Sequence, residues 1–245
     1  MKRARVVVIN QARLGSTRLP GKVLMELEGR PMLERQLERL ARARTPDAIV
    51  IATTTEPRDQ PIVDLATRLG VPLTRGSEDD VLDRYLQAGH EHAADIIVRV
   101  TADCPLIDRD VLDRCVDALL ADPMLDYVSN TLERTYPRGL DVEVLTQATL
   151  ETAAREATEP EDREHVTRFV WRQPERFHLG SVTDDDDHSD LRWTVDTPED
   201  LEVVRAVYRD LVHREPTFGY QAVLRHAATF PAIHALNRDV VQKHA

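Results

Sequence analysis

Apolar and polar positions follow two periods that take turns along most of the chain. Short β-branched runs at Val6 to Ile9, Ala48 to Ala52, Val71 to Leu73, Asp95 to Val100 and Asp126 to Ser129 read as strands. Between them, apolar residues recur at helical spacing over Met32 to Arg44, Gln60 to Leu69, Asp79 to His92 and Arg109 to Leu120. That rhythm predicts βαβ units and an α/β fold with a three-layer sandwich around a mostly parallel, Rossmann-like sheet. After Asn130 the alternation weakens. An alternating segment from Gly139 to Leu145 and two helical stretches precede a late strand, Leu191 to Val195, and a helix from Pro198 to Leu211. The pattern predicts one domain over 1–245, with about 131–190 as a small inserted region for acceptor binding or dimerisation.

The chain has 245 residues, 42% of them hydrophobic, enough for one sizeable core. Its formal charge of −11 argues against a general nucleic-acid or anionic-membrane surface, so a polyanion must be bound locally. No apolar stretch approaches the roughly 20 residues that span a bilayer. The opening MKRARVVVINQARLG reads as a first strand, not a leader, because Asn10 and Gln11 break its apolar run. Cys104 and Cys115 fit neither a redox pair nor a zinc quartet, and as free thiols they point to a reducing compartment, hence a cytoplasmic protein.

The local anion trap is the loop after the first strand, Gln11-Ala-Arg-Leu-Gly-Ser-Thr-Arg-Leu-Pro-Gly-Lys22, with three cations and no acid. Gly15 and Gly21 allow close backbone approach, Ser16 and Thr17 add donors, and Arg13, Arg18 and Lys22 can neutralise a triphosphate. It is not a P-loop: with Gly21-Lys22 as its G-K pair, Val23 stands where a metal-binding hydroxyl belongs. Two carboxylates, Asp103 and Asp196, each follow a predicted strand, at the sheet edge where ligands bind. One aspartate from each, with phosphate oxygens, would suit Mg2+, although either could instead cap a turn or helix. Asp141 and Glu143 alternate with apolar residues and so share one strand face.

The loop resembles the signature A-R-x-x-S-x-R-L-P-G-K of the cytidylyltransferases that make CMP-linked sugar acids, present as Ala12, Arg13, Ser16, Arg18, Leu19, Pro20, Gly21 and Lys22. Further ordered blocks resemble the spore coat polysaccharide type of that superfamily: Arg75 to Leu82, Arg99 to Asp108, Gly139 to Glu143, Glu164 to Thr167 and Asp196 to Asp200. The resemblance implies a nucleotide-diphospho-sugar transferase type of fold and a Mg2+-dependent transfer of CMP from CTP to a sugar or sugar-like hydroxyl, with pyrophosphate released. It implies metal binding by Asp103 and Asp196, nucleotide contacts from the loop including Ala12 and from Arg75 and Thr101, acceptor contacts from Asp141, Glu143 and His165, and a homodimer. Arg13, Lys22 and Asp103 are its catalytic candidates. Thr101 stands where sugar-acid enzymes often carry glutamine, and Arg138 where an acidic residue is more usual. Two other readings stay open: a nucleotidyltransferase using another NTP, and a nucleotide-binding module without chemistry.

Overall fold

In a computed structural model, which describes residues 3–241, seven strands form one mixed sheet. Its strands are β1 (Val6–Gln11), β4 (Ala48–Thr54), β5 (Leu73–Gly76), β6 (Ile96–Thr101), β7 (Tyr127–Ser129), β8 (Glu143–Thr146) and β9 (Leu179–Ser181). A two-residue ladder, β2 (Glu26–Leu27) with β3 (Arg30–Pro31), stands apart. The sheet order is β5-β4-β1-β6-β8-β7-β9, and only β8 runs antiparallel to its neighbours.

Helices cover both faces. One core packs α1 (Met32–Leu40), α2 (Gln60–Leu69), α4 (Arg109–Ala121), α8 (Pro198–Leu211) and α9 (Tyr220–Thr229) on the sheet. The other packs α3 (Val81–Glu91), α5 (Gln147–Glu156) and α7 (Arg168–Trp171) on the opposite face, beside the short α6 (Pro160–Glu164). A last short helix, α10 (Pro231–His234), lies against α9 and α8. The stretch 131–190 supplies β8 and β9 to the main sheet.

Several boundaries move for identifiable reasons. The strand expected at Val71 to Leu73 starts only at Leu73, because Gly70 adopts φ 66° and Val71 N–H closes the end of α2 on Ala66 O at 3.0 Å. The strand expected from Gly139 shrinks to β8: Asn130 intervenes, its side-chain amide donating to Leu140 O and accepting from Val142 N, each at 2.8 Å. The segment Leu191 to Val195 is no ladder strand but a single bridge, Arg138 with Arg192. Its backbone bonds include Trp193 N to Arg138 O at 2.7 Å and Val195 N to Asp103 O at 2.8 Å.

Candidate active site

The carboxyl ends of β1 and β6 open into a cleft of about 390 Å3. The cationic loop forms one wall. It is folded by Leu14, whose carbonyl accepts from Ser16 N at 2.9 Å and Gly21 N at 3.1 Å. The Leu14 N–H in turn donates to the buried Asp59 at 2.7 Å. Gly21, at φ 71°, reverses the chain so that Lys22 turns inward.

The Lys22 ammonium sits between two carboxylates, 3.0 Å from Asp103 Oδ2 and 2.8 Å from Asp196 Oδ1. The Val195 to Asp103 backbone bond is what brings the two aspartates together from distant parts of the chain. Asp196 does not cap α8. Thr197 does, accepting from Asp200 N while the Asp200 carboxylate accepts from Thr197 N, which leaves the Asp196 side chain to the cleft. The Asp196 carboxylate also receives Arg18 Nη2 and Arg192 Nη2, each at 2.8 Å. Asp103 accepts in addition from Thr101 Oγ1 at 2.6 Å.

These contacts set the charges. Burial pulls the Lys22 pKa down, but the charges of Asp103 and Asp196 outweigh it and the ammonium ends above the ordinary lysine value. Burial likewise pushes Asp103 up, yet Lys22 and the Thr101 hydroxyl together hold it below the usual carboxylate range. Next to it, burial and then the charges of Asp103 and Asp141 raise the Cys104 thiol well above its ordinary value. The Cys104 thiol is therefore protonated at neutral pH.

The cleft is lined further by Asp141, Arg138, Glu164 and His165. Asp141 is held in a two-pronged pair by Arg134, at 2.7 and 3.0 Å. Burial lowers the His165 pKa, so the imidazole is neutral at physiological pH.

A cytidylyltransferase family model matches residues 7–226. The chain belongs to that family. It is 36% identical over 243 residues, 98% of this chain and 97% of the relative, to the uncharacterized protein MJ1063 of Methanocaldococcus jannaschii. It is 32% identical over 211 residues, 83% of this chain and 86% of the relative, to the spore coat polysaccharide biosynthesis protein SpsF of Bacillus subtilis. Among solved structures, a cytidylyltransferase from Leptospira borgpetersenii superposes with a TM-score of 0.91 at 33% identity, covering 99% of this chain and all of the other. The fold and enzyme class read from the loop and the ordered blocks are those of the family: this cytidylyltransferase is a nucleotidyltransferase.

Of the residues singled out in the sequence, Arg13, Gly15, Ser16, Thr17, Arg18, Lys22, Thr101, Asp103, Asp141, His165 and Asp196 line the one cleft. Three do not. Ala12 is buried, its N–H bound to Ala52 O at 3.1 Å. The Arg75 guanidinium turns to the backbone, with Nε on Thr54 O at 3.0 Å. Glu143 faces the sheet interior, accepting from Tyr127 Oη at 2.8 Å and from Arg99 and Thr167. Asp141 and Glu143 therefore do not act as a pair, because Asp141 precedes the regular part of β8. The cleft also includes Arg138, noted in the sequence as a departure, and residues given no role there, among them Gln11, Arg99 and Thr194. Gln11 and Arg99 had a readable signal: each is a polar residue close to the carboxyl end of an otherwise apolar strand, where ligands bind.

Proposed function

We propose that this cytidylyltransferase transfers CMP from CTP to a hydroxyl of a sugar or sugar-like acceptor, releasing pyrophosphate, in the making of activated sugars for surface polysaccharide. The observation that carries this reading is the Lys22 ammonium gripped by Asp103 and Asp196 at the inner end of the cationic loop. Family membership supports the nucleotide, and the similarity to SpsF supports the polysaccharide setting.

Asp103 and Asp196 are the residues that would hold Mg2+. The fit rests on geometry, since both carboxylates already converge on one positive centre, the Lys22 nitrogen. Among the described residues no group of three or more metal-ligating side chains occurs. The remaining oxygens would then come from phosphate and water, the coordination Mg2+ favours. When bound, the ion supplies charge neutralisation between phosphate oxygens.

The chain's own groups do the rest. Arg13, Arg18 and Lys22 stand along the loop to stabilise charge gathering on the leaving pyrophosphate. Asp141, fixed by Arg134, and neutral His165 offer hydrogen-bond acceptors for hydroxyls of the sugar, aligning one of them for in-line attack on the α-phosphorus. The test is pyrophosphate release from CTP, GTP, UTP and dTTP in separate reactions against a panel of keto-sugar acids, sugar phosphates and polyol phosphates. CTP-dependent release with one acceptor class is the expected result, and release from another nucleotide in preference to CTP overturns the reading.

A further inference from the structure

Two buried polar atoms on residues of the cleft wall have no hydrogen-bond partner among the described residues: the side-chain carbonyl oxygen of Gln11, Oε1, and Arg99 Nε. The parallel register of β1 on β6 pairs Ile9 with Arg99 and Gln11 with Thr101. Both side chains therefore lie on the same face of the sheet, on adjacent strands and two residues apart. Leaving such an atom dry and unpaired costs about 1–3 kcal/mol, so a pair of them beside a ligand cleft calls for a ligand.

The two atoms also say what kind of ligand. The Arg99 charge is already balanced, since its guanidinium donates to Glu143, and Glu143 is fixed in turn by Tyr127 and Thr167. Its Nε–H is thus a donor inside a neutral pair and suits an uncharged acceptor atom, not a phosphate or carboxylate. Gln11 Oε1 asks for a donor. Gln11 is itself held in place, its backbone carbonyl accepting from Ala102 N at 2.9 Å. It ends β1 where the loop that carries the cations begins, so a nucleotide whose phosphates follow the loop can set its base beside it.

We propose that Gln11 and Arg99 read the base of the nucleotide, with Gln11 Oε1 accepting from the exocyclic amine of cytosine and Arg99 Nε donating to a ring acceptor of the same base. Cytosine presents an amine donor at C4 next to the N3 and O2 acceptors. Uracil presents a carbonyl at C4 and an N–H at N3, so Gln11 has to turn its amide over to meet it, and the Arg99 Nε–H faces a donor at N3 where cytosine offers an acceptor. This selection rests on the reading of CTP as the nucleotide donor.

Calorimetric titration of CTP and of UTP into the wild-type protein, Gln11→Leu and Gln11→Glu tests it. Wild type should bind CTP at least about tenfold more tightly than UTP. Gln11→Leu, which removes the acceptor at similar volume, should weaken CTP by about tenfold or more while UTP changes by less than about threefold. Gln11→Glu, which can only accept, should keep or increase the preference. A preference unchanged in Gln11→Leu overturns the inference and leaves the CTP reading standing. A wild-type preference near unity overturns both. If Gln11→Leu does not fold, Gln11→Glu decides, a lost preference being the contrary result.

Discussion

At the scale of single residues, the site is a balance of charges in which each loop cation has a carboxylate: Arg13 with Glu78, Arg18 with Asp196, and Lys22 with both aspartates. Removing one member of so tight a set should hurt chemistry more than folding, because the group, although Lys22 and Asp196 are buried, lines the cleft and not the apolar core. Lys22→Ala and Asp103→Asn should each cut turnover by about 100-fold or more, with far-ultraviolet circular dichroism unchanged. Near-normal pyrophosphate release from both variants would remove these residues from the chemistry. Residue type and place in the motif were enough to place the loop and the two aspartates together at the sheet edge. They were not enough for Arg75 or Glu143, whose partners come from distant backbone and side chains that no local pattern encodes. For the same reason the orphaned atoms of Gln11 and Arg99 emerged only with the sheet register.

At the scale of elements, the helices and the parallel strands were legible because apolar periodicity and caps are local properties. Asp80, Asp108 and Thr197 each accept the first free N–H groups of the helix that follows them. The antiparallel side of the sheet was less legible. There the side chain of Asn130 replaces ladder partners, and the stretch before Asp196 is held by isolated bonds. Gly139 shows how close that packing is. It sits at φ 102°, and a Cβ there would lie 2.5 Å from Thr194 N and 2.6 Å from the carbonyl carbon of Trp193. Gly139→Ala should therefore cost about 1–3 kcal/mol from backbone strain and displace the 193–196 segment, seen as a lower urea midpoint together with reduced turnover. A variant as stable and active as wild type would show that the segment tolerates the shift.

At the scale of the whole molecule, residues near the end of the chain brace the site. Asn237 Nδ2 donates to Asp200 Oδ1 at 2.8 Å and to Arg192 O at 3.0 Å, behind Asp196. Beside it runs a hydrogen-bonded row from Trp193 through His234 and His226 to Asp210. Indole N–H can only donate, so His234 Nδ1 accepts and its Nε2–H donates to His226, whose own Nε2–H faces the Asp210 carboxylate. The row needs a neutral His234. Burial, followed by the neighbouring His226, lowers its pKa to about 4. The unfolded chain, with an ordinary value near ~6.5, takes up this proton first, so stability should be lost as pH falls from ~6.5 towards the folded value. Urea midpoints measured across that range should drop for wild type and drop less for His234→Gln; parallel curves would show that this histidine does not set the acid limb.

The lysine lodged between the aspartates has one more consequence. A site that carries its own tethered counter-ion resists a bare dication, which would have to evict a group that cannot diffuse away. A dication arriving already chelated by a nucleotide brings anionic oxygens that can draw the ammonium aside. Loading should therefore be joint: Mn2+, followed by electron paramagnetic resonance, should bind at least about tenfold more tightly with CTP present than alone, and CTP should gain by the same factor from the metal. Equal Mn2+ affinity with and without nucleotide would mean that the lysine yields without being called away.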